Sequence, residues 1–201
     1  MKKVLLLGDS IRMSYQPLVA EMLKDYADVV GPEENCQFSA YTLASLDRWL
    51  EQLGKPDIVH WNNGIHDVGY NPDRKPVQYP LDEYISNLKA IIEKLRATDA
   101  KIIFATSTPV HPNRPFKNTE WAWRNEEIDQ YNEAALKLMK SESIPVNDLH
   151  AVVAEDADAY LADDMLHLSE EGIKKCAEAV VKMIKTEANK RGLGQDSTHK
   201  L

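Results

Sequence analysis

The sequence is poor in cysteine and in positive charge, and each shortage excludes a class of protein. Only Cys36 and Cys176 occur among 201 residues, and neither has a spacing typical of a metal site. We therefore expect no zinc site and no disulfide scaffold, although one disulfide between these two residues stays open. The 24 Lys and Arg are outnumbered by 32 Asp and Glu, which gives a net charge of -8. Nucleic acid and anionic membranes attract clustered positive charge, so neither is an expected partner.

The sequence also lacks long apolar runs. No stretch approaches the ~20 apolar residues of a membrane-spanning helix. The run near the N-terminus, Val4–Leu7, stops at Gly8, which is too short for the core of a signal peptide. We therefore expect a cytoplasmic protein that begins at Met1. Its length suits a single domain, predicted at 1–191, followed by a polar C-terminal tail at 192–201.

Short apolar runs alternate with amphipathic stretches along the chain. The apolar runs are typical of buried strands, which we predict at 4–7, 29–30, 58–61, 101–105 and 144–146. Helical periodicity predicts helices at 14–27, 42–53, 81–97, 125–141, within 149–160 and from Ser169 onward. This alternation predicts an α/β protein with a flavodoxin-like, five-stranded parallel sheet between two helical layers, a three-layer α/β/α arrangement.

Polar residues that directly follow a strand are the first candidates for a site, because chemistry gathers at the carboxyl ends of parallel strands. Ser10 follows the first predicted strand, in Gly8-Asp9-Ser10. Its hydroxyl is a candidate nucleophile, and its backbone N–H is a candidate donor to a developing oxyanion. A serine that only caps the following helix is the structural alternative.

Two further polar motifs lie at comparable places. Residues 62–67 follow the third predicted strand and offer donors toward Ser10, although such residues also favour simple turns. Asp164 and His167 lie just before the last predicted helix. A serine hydroxyl needs a base to take its proton, and that base needs an orienting carboxylate. Asp164 and His167 are therefore candidate partners of Ser10.

Together these motifs resemble those of the SGNH, or GDSL-type, hydrolase family. Gly8–Ile11 resembles the first sequence block of that family, Phe38–Thr42 the second, Gly64–Asp67 the third and Asp164–His167 the fifth. The resemblance covers about residues 3 to 190, nearly the whole chain. It implies a serine esterase that needs no metal and no cofactor.

The resemblance also implies individual roles. Ser10 would be the nucleophile, His167 the base and Asp164 the acid that orients it. The backbone N–H groups of Ser10 and Ala40 would hold the oxyanion. Ala40 stands where the family has glycine, a mild departure because alanine keeps the N–H.

A second departure concerns the oxyanion donor. His66 stands where the family has asparagine. A neutral histidine has one N–H to donate, so His66 is our first candidate for that role. Asn63 is a second candidate, and a weakened or lost activity is the third alternative.

The loops expected around the site are polar and aromatic. Candidate substrate-binding residues are His111, Arg114, Trp121 and Trp123. Aromatic faces beside polar groups suit a sugar, and tryptophans that only anchor the loop to the core are the structural alternative. We therefore predict an esterase for short acyl esters, acetyl above all, on a small-molecule or oligosaccharide substrate. The alternatives are a lysophospholipase or thioesterase, and a glycan-binding protein without activity; the sequence gives no oligomeric state.

Overall fold

The structure, a computed structural model, describes residues 1–71, 77–114 and 120–190. Five parallel strands form one sheet in the order β2-β1-β3-β4-β5. Their bounds are β1 Lys2–Leu7, β2 Ala27–Val30, β3 Ile58–Trp61, β4 Lys101–Ala105 and β5 Val146–Asn147. The predicted α/β class and parallel sheet are confirmed.

Helices cover both faces of the sheet. Helices α1 and α8 pack together over one face, while α2, α4 and α5 pack over the other. The bounds are α1 Ser10–Leu23, α2 Ser39–Leu53, α3 Ile65–Val68, α4 Leu81–Arg96, α5 Asn125–Ser141, α6 Leu149–Ala154, α7 Ala157–Tyr160 and α8 Glu170–Asn189. The arrangement is the predicted three-layer α/β/α.

Strand β1 explains why a continuous apolar run was a good strand signal. Val4 and Leu6 belong to the core under α1 and α8, whereas Leu5 and Leu7 belong to the opposite core under α2, α4 and α5. All four side chains are fully buried. A strand covered on both faces cannot alternate apolar with polar residues, so its sequence stays apolar throughout.

Several element boundaries differ from the sequence prediction. Helix α1 begins at Ser10 rather than 14, because the Asp9 carboxylate accepts from Ile11 N and caps it there. Helix α2 begins at Ser39 rather than 42, and α3 was not predicted. The Asp9 cap of α1 gives no apolar periodicity, and the N-cap residues of α2 and α3, Phe38 and Gly64, form no side-chain cap bond.

The last helix begins where the sequence predicted. Ser169 caps α8, since its Oγ accepts from Gly172 N at 3.1 Å. Cys36 and Cys176 are free and buried, so the disulfide that the sequence left open does not form. Within the described ranges, no helix combines the length and apolarity needed to cross a membrane. The predicted tail at 192–201 lies outside those ranges.

Candidate active site

Ser10 lies on the first turn of α1, directly beyond the carboxyl end of β1, which lies between β2 and β3 in the sheet. The turn is tight, because a Cβ atom at Gly8 would lie 2.0 Å from Asn62 Oδ1. Asp9 fixes it from both sides: Oδ1 accepts from Ile11 N at 2.9 Å and Oδ2 accepts from Asn62 Nδ2 at 3.1 Å. Asp9, and not Ser10, is the helix cap, which leaves the Ser10 hydroxyl available.

His167 and Asp164 lie on the loop between α7 and α8. An antiparallel bridge between Leu161 and Leu168 closes this loop, and Ala162 N donates to His167 O at 2.7 Å. Asp164 Oδ1 accepts the backbone N–H of His167 at 2.9 Å. These local bonds hold both side chains on the same side of one short turn.

The structure joins Ser10, His167 and Asp164 in one hydrogen-bonded chain. Ser10 Oγ lies 2.9 Å from His167 Nε2, and His167 Nδ1 lies 2.6 Å from Asp164 Oδ2. Because a carboxylate only accepts, Nδ1 carries the proton and Nε2 is left to accept from the serine hydroxyl. The chain therefore has the connectivity that a serine nucleophile and its base require.

The electrostatics of Asp164 favour its ionised form. Burial acts to raise the pKa of this carboxyl, but hydrogen bonds from the His167 ring and from the backbone of His167 and Leu166 outweigh it. The net result is a pKa below the ordinary value. Asp164 stays a carboxylate across the neutral range and can stabilise an imidazolium on His167.

The backbone N–H groups of Ser10 and Ala40 are the two that the sequence proposed as oxyanion donors. Ser10 and Ala40 lie in the first turns of α1 and α2, where N–H groups have no partner inside the helix. Neither N–H has a hydrogen-bond partner within residues 1–71, 77–114 and 120–190. Helix N-termini carry partial positive charge, which suits a negatively charged oxygen.

Asp67 fixes the start of α2. Its carboxylate accepts from both Ser39 N and Ser39 Oγ, and Asn87 Nδ2 donates to the same Oγ at 3.0 Å. Burial raises the pKa of Asp67 to about 7, against the lowering effect of the Ser39 bonds. Asp67 thus links α3, beside His66, to the helix that carries the Ala40 N–H.

The geometry argues against Asn63 as an oxyanion donor. Its side chain is fully buried, and its Nδ2 donates to Gln37 O and to Thr42 Oγ1, each at 3.0 Å. Its Oδ1 accepts from Trp61 Nε1 at 2.6 Å. Both N–H groups of the amide are therefore in use, and Asn63 is a core residue that supports the β3 loop.

His66 differs from Asn63 in both respects. It lies on α3, is only partly buried, and forms no hydrogen bond with any residue that the structure describes. Its imidazole is therefore available to a substrate group.

Of the four substrate-binding candidates, His111 and Arg114 are engaged elsewhere. His111 is buried and its Nε2 lies 3.1 Å from Asp158 Oδ1, while Arg114 binds the same carboxylate. The backbone N–H of His111 donates to Met165 O at 3.0 Å. Both side chains thus attach the loop after β4 to α7, and the backbone of His111 attaches it to the His167 loop. That these two side chains contact a substrate stays a prediction.

Trp123 and Trp121 differ from one another. Trp123 Nε1 donates to Ile65 O at 2.7 Å, next to an antiparallel bridge between Tyr70 and Ala122. Trp123 therefore anchors its own loop to α3, which is the structural alternative that the sequence left open. Trp121 is partly exposed and forms no hydrogen bond with a described residue, so it remains a candidate.

Sequence reasoning missed Arg12 and the linking role of Asp67. Arg12 is a buried charge on the turn that carries Ser10, and a lone arginine in a helix gives no signal of burial. Asp67 was quoted within a motif, and only its contact with Ser39 reveals what it does. In the described part of the chain, no three His, Cys, Asp or Glu side chains group as metal ligands would.

The chain is similar to known esterases and acylhydrolases. Residues 6–175 match the model of the GDSL-like lipase/acylhydrolase family. A GDSL esterase/lipase of Oryza sativa subsp. japonica is 32% identical over 129 residues, which cover 60% of this chain and 48% of that protein. The chain thus spans about half the length of the rice protein. The isoamyl acetate-hydrolyzing esterase 1 homolog of Homo sapiens is 27% identical over 197 residues, covering 85% of this chain and 76% of that protein.

Solved structures show the same fold at low sequence identity. An acetyl xylan esterase has a TM-score of 0.75 at 20% identity, covering 90% of this chain and 99% of that chain. An acetylxylan esterase from Geobacillus stearothermophilus has a TM-score of 0.74 at 22% identity, covering 91% and 94%. With the family match over most of its length, the chain belongs to the GDSL-like lipase/acylhydrolase family, a family of esterases and acylhydrolases, as its motifs indicated.

Proposed function

We propose that this chain is a serine esterase that hydrolyses short acyl esters, acetyl esters above all, through Ser10, His167 and Asp164. The observation that carries the proposal is the chain of two hydrogen bonds, 2.9 Å from Ser10 Oγ to His167 Nε2 and 2.6 Å from His167 Nδ1 to Asp164 Oδ2. A serine so connected has a base in contact and a carboxylate behind that base. This connectivity favours hydrolysis over a glycan-binding protein without activity.

The proposed reaction has two steps. Ser10 Oγ attacks the acyl carbonyl carbon as its proton passes to His167 Nε2, and Asp164 stabilises the imidazolium. The C–O bond to the alcohol then breaks, and the alcohol oxygen takes the proton from Nε2. In the second step, water gives a proton to His167 and attacks the acyl-enzyme, which releases the acid and restores Ser10.

The negative charge that develops on the carbonyl oxygen needs donors. We assign this role to the backbone N–H groups of Ser10 and Ala40 and to the ring of His66. The two N–H groups have no partner among the described residues, and His66 is available in the same sense. Preformed donors of this kind lower the barrier because they need not reorganise during the reaction.

We propose a carbohydrate as the alcohol part of the substrate. Its support is the partly exposed Trp121 beside polar loops, together with relatives named as acetyl xylan esterases. A relative named for isoamyl acetate supports the acetyl group without supporting a sugar. The acyl preference and the sugar preference therefore need separate tests.

The acyl preference is tested with p-nitrophenyl esters of increasing chain length. We expect kcat/KM to be highest for acetate and clearly lower for octanoate, with Ser10→Ala inactive on both. A preference for octanoate would favour the lysophospholipase or thioesterase alternative. Wild-type protein that matches Ser10→Ala on every ester would favour the non-catalytic alternative.

The sugar preference is tested by comparing acetylated xylo-oligosaccharides with p-nitrophenyl acetate. Trp121→Ala should lower kcat/KM on the sugar ester by about tenfold and leave the chromogenic ester nearly unchanged, since only the sugar offers a face to stack. Trp123→Ala is the matched control, because the Trp123 indole anchors the loop through Ile65 O. Equal losses on both substrates for Trp121→Ala would contradict a sugar-binding role.

A further inference from the structure

Arg12 is a buried arginine two residues beyond Ser10, and only 2% of its surface is exposed. Its guanidinium donates to three backbone carbonyls. Nε reaches Gly8 O at 3.3 Å, Nη1 reaches Pro32 O at 2.9 Å and Nη2 reaches Glu34 O at 2.8 Å. One side chain thus joins the turn before Ser10 to the loop between β2 and α2.

Arg12 forms no ion pair within residues 1–71, 77–114 and 120–190. Its other contacts go to Gln16 Oε1 at 2.8 Å and to Cys36 Sγ at 3.7 Å. A buried charge without an ionic partner is costly, and an apolar side chain would fill the same space without that cost. We therefore infer that the three carbonyls need several hydrogen-bond donors from one planar group, which a guanidinium provides.

The loop that Arg12 holds leads directly into α2. Gly8 O accepts from Cys36 N at 3.1 Å as well as from Arg12, and Cys36 O accepts from Thr42 Oγ1 at 2.9 Å. These bonds connect the Ser10 turn to the first turn of α2, which carries Ala40. A shift of the loop would therefore move the Ala40 N–H relative to Ser10.

The same loop is tied to α2 from its outer side. The Glu34 carboxylate accepts from Tyr41 Oη at 2.6 Å, from Trp49 Nε1 at 2.8 Å and from Arg48 Nη2 at 2.6 Å. These bonds lower the pKa of Glu34 to about 2, with the Tyr41 bond as the largest cause. Three hydrogen bonds therefore join the loop to α2, and Arg12 joins the same loop to α1.

We propose that Arg12 is a positioning residue that sets the distance between the Ser10 hydroxyl and the Ala40 N–H. This inference rests on the proposed function, in which Ser10 is the nucleophile and Ala40 supplies an oxyanion donor. Only arginine suits the task, because its planar fork reaches three carbonyls on two segments, whereas the lysine ammonium is a single point. Misplacement of a donor by about 1 Å costs on the order of a hundredfold in rate.

The test compares Arg12→Lys with wild type on p-nitrophenyl acetate. We expect kcat to fall by about 10- to 100-fold with KM within about twofold, because the oxyanion forms only in the transition state. The matched control is Arg96→Lys, since Arg96, like Arg12, donates to a backbone carbonyl, that of Glu142, and it also binds the Glu142 carboxylate. Glu142 lies just before β5, at the opposite edge of the sheet, so Arg96→Lys should keep wild-type kcat.

A second measurement separates positioning from general stability. Arg12→Ala should regain part of its kcat when millimolar guanidinium is added, whereas Ser10→Ala should not. If Arg12→Lys does not fold, Glu34→Gln loosens the same loop from its outer side, and it should lower kcat by about threefold to tenfold with KM unchanged.

Each outcome decides between the two proposals. If wild type is active and Arg12→Lys keeps an unchanged kcat, the role of Arg12 alone is overturned. Where Arg12→Lys does not fold, an unchanged kcat in Glu34→Gln has the same consequence. A reduced melting temperature with unchanged kcat would show a structural role only, and would overturn it too. Wild type no more active than Ser10→Ala would overturn the proposed function and the Arg12 inference together.

Discussion

The segment that carries Ser10 and the segment that carries His167 meet in one hydrogen bond, although they are built differently. The Ser10 turn is fixed by buried contacts from distant parts of the chain, through Asn62 to Asp9 and through Arg12 to the loop before α2. The His167 loop is closed by bonds between near neighbours, and its His167 and Asp164 side chains are 44% and 42% exposed. The position of Ser10 therefore depends on the whole fold, whereas the positions of His167 and Asp164 depend mainly on one short turn.

Two aspartates show what this difference does to chemistry. Asp67, which is fully buried in α3, has its pKa raised to about 7, chiefly by burial. Asp164, in the exposed half, has its pKa lowered, because hydrogen bonds outweigh its partial burial. Burial thus drives Asp67 toward its neutral form. Hydrogen bonds keep Asp164 ionised, as the proposed pairing with a protonated His167 requires.

The largest effect on turnover is expected from Ser10→Ala. Removal of the nucleophile should lower kcat by at least about 10⁴-fold. The melting temperature should stay within a degree or two, since the one hydrogen bond of the Ser10 hydroxyl with a described residue is to the partly exposed His167. Ser14→Ala, one turn further along α1, is the matched control and should keep wild-type kcat. Near-normal turnover in Ser10→Ala would remove Ser10 from the mechanism.

Asp164→Asn tests the exposed half and should have the next largest effect. An asparagine amide can donate to Nδ1 and so favour the wrong tautomer of His167, and we expect kcat to fall by about 10²- to 10⁴-fold. Some activity should remain, because water can reach this side chain. Asp99→Asn, an exposed change far from the site, is the control.

The pH profile provides an independent check on the same pair. The wild-type rate should rise with pH as His167 loses its proton, since only the neutral imidazole accepts from Ser10. A rate that does not rise as the pH is raised from acidic values would contradict the role of His167 as base.

His66→Ala tests the assignment of the oxyanion donor. Loss of one donor should lower kcat by about 10²- to 10³-fold, with little change in stability because His66 is partly exposed and bonds to no described residue. His66→Asn, which offers a side-chain amide donor in place of the imidazole ring, should recover part of the loss. A decrease of tenfold or less in His66→Ala would leave the backbone N–H groups as the only donors.

The smallest effect on turnover is expected from Asp67→Asn, because the asparagine oxygen can still accept from Ser39. Its readout is the free energy of unfolding against pH. The folded protein keeps a proton on Asp67 up to about pH 7, whereas an unfolded aspartate loses it near 3.8. The contribution of the Asp67 proton to stability is complete below the pKa of Asp67 in the unfolded chain. It is lost as pH rises through the pKa of Asp67 in the folded protein.

Wild type should therefore lose up to about 4 kcal/mol relative to Asp67→Asn between about pH 4 and 8. Chemical denaturation at several pH values measures this difference. Parallel curves for the two proteins would show that Asp67 has an ordinary pKa in the folded state.

The sequence predicted the bounds of β3 and β4 better than the starts of α1 and α2. Strand bounds such as 58–61 and 101–105 agree with the structure, because strands covered on both faces leave a continuous apolar run. The starts of α1 and α2 were placed four and three residues late, since Asp9 and the segment before Ser39 give no periodic signal. Ser169 was recognised because a serine followed by two glutamates is a strong start signal.

What the sequence determined by itself is the local chemistry: Ser10 after a buried strand, and an aspartate and a histidine three residues apart on a closed loop. The tertiary structure decided which neighbours those residues have. It directed both N–H groups of the Asn63 amide to Gln37 and Thr42. It also directed the Arg12 guanidinium to the carbonyls of Pro32 and Glu34, which lie 20 and 22 residues further along the chain. Contacts of that range depend on how helices pack across the sheet, and a pattern of neighbouring residue types does not record them.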